Sequence, residues 1–298
     1  VEENYKELLE SHPDINKVHV VNIKKAKQKK SLFSLLKELI RVHKFGPYDL
    51  VIDMQGLIKS AIISRLISSP ITLGFDKASI RESLASIFYN KTFNYDYDKN
   101  VIERNFELIK FALNFPYKLE EINYKVPFLY SHEKHLNLSL SNTKKNIILI
   151  PGASHPSKRY PVNKLAELSL LFDAHFLIIW GNQEEKILAD RIQALSPDVF
   201  ICEKLTIDSL KSLISKVDLV IGPDTGPTHI AWALNVASIT LFGPTPSLRN
   251  AYQTDINRII ESKSDVNPYK IDKNDYSIKG IKVDDIVKMS HTLLKLNK

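Results

Sequence analysis

Short apolar runs alternate with stretches of helical periodicity along nearly the whole chain. That is the pattern of successive β-α units that build a parallel sheet. In the first half, Val18–Val21, Leu50–Ile52 and Ile71–Phe75 read as strands, and residues 31–44, 57–68, 81–89 and 99–114 read as helices. In the helix from Ser31, Leu32, Leu35, Leu36 and Leu39 recur at helical spacing, which predicts one face turned to the core. Residues 115–145 lose the rhythm, with Pro116, Pro127 and a polar stretch from Ser139 to Lys145, and read as a linker. The rhythm restarts with Asn146–Ile150. Strands are then expected at Phe176–Trp180, Val199–Cys202, Leu219–Ile221 and Ser238–Phe242, and helices at 162–172, 183–195, 206–217, 226–235 and 283–296. The expectation is two α/β domains, residues 1–145 with the linker and residues 146–298, with a cleft between them and ligands beyond the carboxyl ends of strands.

Composition fits this picture. The 298 residues are 44% hydrophobic and 25% charged, a profile of soluble globular proteins. There is no apolar run of about 18 residues and no signal-peptide pattern at the start. Cys202 is the single cysteine and sits in the apolar run Val199-Phe200-Ile201-Cys202. It therefore reads as a buried strand residue in a chain with no internal disulfide, which suits a reducing compartment. The chain opens Val1-Glu2-Glu3-Asn4-Tyr5, directly in a helix-like stretch, where a doubly wound domain would open with a strand. An earlier segment is expected to precede Val1.

Charge changes the picture further. The net charge is +7, and residues 1–145 hold 23 Lys and Arg against 17 Asp and Glu, whereas residues 146–298 hold 18 against 17. Lys24-Lys25-Ala26-Lys27-Gln28-Lys29-Lys30 puts five lysines in seven residues. Such a run is either a solvated face or a surface for an anionic partner: nucleic acid, an anionic membrane or a phosphorylated acceptor.

The stretch with the most chemistry is Val220-Ile221-Gly222-Pro223-Asp224-Thr225-Gly226-Pro227-Thr228-His229. A strand ends in a turn and a helix begins at once. The free N–H groups of a helix N-terminus suit a phosphate, Gly226 permits close backbone approach, and His229 lies one turn in. Asp224 is placed to accept hydrogen bonds from sugar hydroxyls, although Asp224 or Thr225 could instead cap the helix. In Ile150-Pro151-Gly152-Ala153-Ser154-His155-Pro156-Ser157-Lys158-Arg159, small residues, a hydroxyl and a lysine describe a phosphate-facing loop or a solvated one. Trp180-Gly181-Asn182-Gln183-Glu184-Glu185 puts acids just past a strand, where a ribose can bind or where they answer the helix dipole. Leu241-Phe242-Gly243-Pro244-Thr245-Pro246 marks only a strand end.

In the first half, Val51-Ile52-Asp53-Met54-Gln55-Gly56-Leu57-Ile58-Lys59-Ser60, then Gly74-Phe75-Asp76, then Arg81-Glu82-Ser83-Leu84-Ala85-Ser86 follow strand ends. Arg81 and Glu82 are either a surface ion pair or contacts to an acceptor. These strings, in unbroken order with Asp224-Thr225-Gly226-Pro227-Thr228-His229, resemble the ADP-heptose:lipopolysaccharide heptosyltransferases, glycosyltransferase family 9. The likeness runs from near Val1 to about Asn250. The Gln-Gly-Leu-Ile-Lys-Ser and Arg-Glu-Ser-Leu-Ala-Ser stretches are similar to the branch that adds the first heptose.

The resemblance implies the GT-B fold, two Rossmann-like domains facing a cleft, with the first domain lacking its first β-α-β segment here. It implies transfer of L-glycero-D-manno-heptose from ADP-heptose to Kdo-lipid A with inversion, in building the lipopolysaccharide inner core. The second domain would hold the donor: Ser154 and Lys158 on the diphosphate, Glu184 or Glu185 on the ribose, backbone near Leu205 on adenine, Asp224 on heptose hydroxyls, and Thr225, Gly226 and His229 completing the phosphate nest. The first domain would hold the acceptor through Lys24, Lys25, Lys27, Gln55, Lys59, Arg81, Glu82 and Arg104. The general base of the family is expected upstream of Val1, so a chain starting there is expected to be inactive unless Asp53, Asp76 or Glu82 substitutes. Family members carry two threonines before the loop lysine, where this chain has Ala153-Ser154. No cofactor or metal is expected, since Lys158 and a helix N-terminus can supply the positive charge. The enzyme is expected to be a monomer in the cytoplasm, peripheral on the inner membrane.

Other classes are less well supported by the residues. A later-acting heptosyltransferase or another nucleotide-sugar transferase shares the same motifs. A basic nucleic-acid-binding protein would show a helix-turn-helix, RRM or zinc module, and none is legible. A dehydrogenase or epimerase would show Gly-x-Gly-x-x-Gly after a strand, and the nine glycines form no such run.

Overall fold

The computed structural model describes residues 1–23, 31–133 and 139–296. The chain forms two compact units, Val1–Tyr124 and Lys125–Lys298.

The first unit is built on a three-stranded parallel sheet of β1 (Leu50–Ile52), β2 (Ile71–Phe75) and β3 (Lys91–Phe93), in that order. Besides the single turn Lys6–Leu9, its helices are α1 (Leu32–His43), α2 (Ile58–Leu66) and α3 (Val101–Leu113). The Ser31 hydroxyl caps α1 by accepting from Ser34 N, and Asn100 caps α3 by accepting from Ile102 N. The helix closes on Asn114 at φ 50°, the left-handed conformation asparagine tolerates. The core gathers Leu73 and Phe75 of β2 with Ala61, Tyr89 and Leu108. A Cβ on Gly74 would lie 2.3 Å from the Tyr89 ring. Glycine there is what lets the ring cross the strand and its hydroxyl reach Asp53 at 2.8 Å.

Three expectations change in this unit. Val18–Val21 joins no ladder; Val21 N bonds Val1 O at 2.7 Å instead. Residues 83–88 wind as 3-10 turns rather than an α-helix. On α1, Leu36 is 56% exposed, while Val42 is fully buried and Leu35 and Leu39 are half-buried, so the inward stripe runs through Leu35, Leu39 and Val42.

The second unit is a six-stranded parallel sheet in the order β6-β5-β4-β7-β8-β9. The strands are β4 (Lys145–Leu149), β5 (Ala174–Ile178), β6 (Phe200–Ile201), β7 (Leu219–Pro223), β8 (Ser238–Phe242) and β9 (Asn257–Glu261). Counted within the unit this is 3-2-1-4-5-6, the doubly wound order whose direction reverses between β4 and β7. Helices α4 (Val162–Leu170), α5 (Gln183–Leu195), α6 (Ile207–Ile214), α7 (Gly226–Ala233) and α8 (Val283–Leu296) connect or cover the strands. Ile147, Leu149, Leu219, Ile221, Ile239 and Leu241 are wholly buried, as expected for strands covered on both faces. Cys202, just past β6, is 7% exposed, and burial pushes its thiol up to about 12, so it is a packing residue and not a reactive one.

The second unit begins earlier than the boundary expected at residue 145. Phe128 N donates to Ala233 O at 3.2 Å, Asn235 Nδ2 to Lys125 O at 2.7 Å, and Ser131 Oγ to Asp208 at 3.0 Å. The prolines that break the helical rhythm therefore lie partly in a strap bound to α6 and α7. Among the described residues no helix is long and apolar enough to cross a membrane.

Candidate functional site

The reversal between β4 and β7 opens two neighbouring loops, and the sequence fills both with polar groups. After β7 the chain turns at Asp224 and enters α7 at Gly226. After β4 it runs through Gly152 and Ser154 into a single 3-10 turn, Pro156–Lys158, held by a 2.9 Å bond between His155 Nδ1 and Ser157 Oγ. That turn aims Lys158 across at the β7 loop.

Asp224 is the hub. It is 8% exposed, and its carboxylate meets four side chains: Lys158 Nζ at 2.9 Å, His229 Nε2 at 3.0 Å, Thr245 Oγ1 at 3.2 Å and Asn250 Nδ2 at 3.3 Å. Lys158 also donates to the Asp224 carbonyl at 2.7 Å. Burial by itself would raise the Asp224 pKa. The His229 hydrogen bond and the Lys158 charge outweigh it and hold the carboxyl well below the usual carboxylate range. The group is thus a fixed anion that orients two cationic or hydrogen-bonding side chains at one helix N-terminus. Thr225 Oγ1 is buried there with no hydrogen-bond partner, so the threonine does not act as the side-chain cap that the sequence left open. A buried hydroxyl without a partner is costly, and a ligand oxygen would relieve it. Gly226 is exposed, with nothing within 4 Å of an added Cβ, so the first residue of α7 is open to approach.

The two acids after β5 separate in role. Glu184 is exposed and pairs with Arg159, whose hydrogen bond lowers its pKa. Glu185 folds back, accepts from Gly181 N at 2.7 Å, and lies where a Cβ on Gly152 would come within 2.4 Å of its carboxyl carbon. Of the pair, Glu185 is the one at the ends of β4 and β5. Ser154 is exposed on its loop, and Leu205 is half-buried beyond β6. Thr245 and Asn250 were not expected at the site. Their signal was topological: β8 lies beside β7, so the loop after Phe242 must end next to Asp224.

The expected acceptor residues of the first unit are less concentrated. Lys24, Lys25 and Lys27 lie outside the described residues. Gln55 and Lys59 line a cavity of about 710 Å³ together with Glu2, Tyr5 and Ser60, and Lys59 Nζ is 3.5 Å from Glu2. Arg81 and Glu82 form an exposed ion pair at 3.5 Å, and Glu82 also accepts from Ile58 N at 2.8 Å at the start of α2. Arg104 is a correction. It is 3% exposed, donates to the carbonyls of Ser79, Tyr95 and Asp96, and stacks over Phe75 at 4.4 Å, so it ties the loops after β2 and β3 together from inside. Asp53 is also internal: it accepts from Tyr89, Ser60 and Gln55 N. Asp76 accepts from Ala78 N, Ser79 and Asn94. No group of three or more His, Cys, Asp or Glu side chains suited to a metal ion occurs among the described residues.

Comparison with known proteins identifies the family. The model of glycosyltransferase family 9 (heptosyltransferase) matches residues 33–273. Lipopolysaccharide heptosyltransferase 1 of Campylobacter coli is 39% identical over 97% of this chain and 87% of its own. Among solved structures, E. coli heptosyltransferase WaaC with ADP-2-deoxy-2-fluoro heptose superposes with a TM-score of 0.75 at 21% identity, over 98% of this chain and 88% of its own. A family 9 glycosyltransferase from Veillonella parvula gives 0.78 at 18% identity, over 100% and 87%. The α/β fold with parallel sheets is therefore the GT-B fold of these enzymes. With the family model spanning most of its length and a relative 39% identical over 97% of it, the chain belongs to glycosyltransferase family 9, the heptosyltransferases.

Proposed function

We propose that this glycosyltransferase transfers L-glycero-D-manno-heptose from ADP-heptose to Kdo-lipid A, with inversion, in lipopolysaccharide inner-core synthesis. The observation that carries the reading is the Asp224 hub: an acid locked between Lys158 and His229 at the start of α7. Names of the relatives point the same way, since the C. coli protein is a lipopolysaccharide heptosyltransferase 1.

In this reading the diphosphate meets the N-terminus of α7, the Thr225 hydroxyl and Lys158. An ammonium has three N–H donors, and Lys158 directs its donors at the Asp224 carbonyl and carboxylate. One donor remains for a phosphate oxygen, so Asp224 aims the lysine without consuming it. As the sugar–phosphate bond breaks, charge grows on the departing ADP. A preset ammonium and helix N-terminus stabilise that charge more than the ground state, which gives the site a source of positive charge without a metal. Asp224 itself faces the sugar hydroxyls, Glu185 the ribose, and the backbone near Leu205 the adenine.

The acceptor is assigned to the first unit, with Gln55 and Lys59 at its cavity and the lysine run supplying attraction for phosphates. Asp53, Asp76 and Glu82 each hold local donors, so the base that takes the acceptor proton is sought outside these three. The enzyme is proposed to work as a monomer in the cytoplasm, peripheral on the anionic inner membrane. Mass spectrometry of Kdo-lipid A incubated with the protein and ADP-heptose tests the reading. A product heavier by one heptose supports it, and transfer only from another nucleotide sugar would overturn it.

A further inference from the structure

Helix α1 is apolar on two sides. Leu35, Leu39 and Val42 turn inward, and Val42 is fully buried. A second stripe faces solvent: Phe33 is 77% exposed, Leu36 56% and Ile40 52%. At about 100° per residue the two stripes stand roughly a third of a turn apart. The outer one has i, i+3, i+7 spacing, so it is a continuous ridge about 10 Å long.

The charges beside this ridge say what it meets. Exposed Lys37 and Lys44 fall along its polar edge, with Arg41 beside them paired to Glu38. The five lysines from Lys24 to Lys30 precede the same helix in sequence, within a half that carries a surplus of six positive charges. Two copies meeting through this face would set like charges together. A bilayer with anionic headgroups takes both components at once, cations at the phosphates and the ridge at the acyl boundary, which is the design of an interfacial amphipathic helix.

We propose that α1 is a membrane-docking element whose Phe33–Leu36–Ile40 ridge inserts into the interfacial layer of an anionic bilayer. The proposal shares with the reading above only the anionic surface and does not depend on the sugar transferred. It adds an apolar, salt-resistant component to an attraction that charge alone would make fully screenable.

The test is flotation of the full chain with vesicles of phosphatidylcholine, with and without phosphatidylglycerol, at low and high salt. Wild type is expected to float with the anionic vesicles and to keep a measurable fraction bound at high salt. Phe33→Gln, Leu36→Gln and Ile40→Gln together, all at exposed positions, are expected to weaken partition at least about tenfold while leaving ADP affinity unchanged. Lys37→Glu with Lys44→Glu should lower binding at low salt only. A Phe33→Trp variant is expected to show blue-shifted emission on binding and quenching by lipids brominated in the acyl chain. If the glutamine variant floats as wild type does and Phe33→Trp emission stays unshifted, the ridge does not insert and the charge-based reading stands alone. Absence of wild-type binding to anionic vesicles would overturn both. A wild-type dimer in sedimentation that the glutamine variant makes monomeric would assign the ridge to a second copy and overturn the proposal.

Discussion

The two units use the same local grammar, a strand ending in a polar turn before a helix, for opposite purposes. In the second unit the turns after β4, β7 and β8 converge on Asp224, leaving a buried threonine hydroxyl unpaired and a helix N-terminus open. In the first unit the turns after β1 and β2 close on themselves: Asp53 is consumed by Tyr89 and Ser60, Asp76 by Ser79 and Asn94, and Arg104 by three backbone carbonyls. The number of partners on the acid does not separate the two units, since Asp224 has four; the difference is that the groups around Asp224 leave the Thr225 hydroxyl open for a ligand.

The sharpest way to break this contrast is Lys158→Ala. Removing the ammonium should cost about 10²–10³-fold in transfer rate, the usual effect of losing one preset donor to a developing charge, and about 1.5–3 kcal/mol in ADP affinity. Unchanged steady-state rates would take Lys158 out of the site. The counterpart in the first unit is Arg104→Ala. It leaves three carbonyls without their donor and should destabilise the protein by roughly 2–4 kcal/mol in a denaturant titration, with ADP affinity at wild-type level. A stable variant with a raised acceptor KM would return Arg104 to the acceptor site.

A pH experiment sharpens the same comparison. The Asp224 carboxyl is depressed in the folded state, so its contribution is fully present above the ordinary carboxylate pKa and is lost as pH falls below it through the folded value. Acid unfolding of Asp224→Asn should therefore be less steep than that of wild type below about pH 4. Parallel curves would show that the carboxylate gains nothing from its partners. The smallest effect is expected from Lys59→Ala. The side chain is exposed and its contact with Glu2 is 3.5 Å, so stability should change by less than about 0.5 kcal/mol, and only the acceptor KM should rise. An unchanged KM would remove Lys59 from the acceptor set.

These cases also show what sequence could reveal. The second sheet was legible because strands covered on both faces are bare apolar runs such as Asn146–Ile150 and Leu219–Ile221. Asn257–Glu261 escaped because an edge strand mixes Arg and Glu with two isoleucines. Lys91–Phe93 escaped because its Lys and Thr are exposed and only Phe93 is partly buried, so it has no apolar run like that of the equally short Leu50–Ile52. In the helix from Val101, Arg104 shares a face with buried Leu108, a spacing that already marked it as inward; the charge alone misled. The Asp224 loop was legible because its residues are contiguous. Thr245 and Asn250 were not, because their place beside Asp224 depends on strand order, which no local pattern encodes.

The central claim is that Asp224 recognises the sugar while Lys158 and α7 hold the diphosphate. Calorimetric titration of Asp224→Ala with ADP and with ADP-heptose tests it most directly. The substitution removes a negative charge beside the diphosphate but also the group that aims Lys158, two effects of opposite sign, so ADP affinity should change little, while ADP-heptose should lose about tenfold or more through its missing hydroxyl contacts. Equal losses for both ligands would contradict the account, because Asp224 would then serve only to hold the phosphate-binding residues in place.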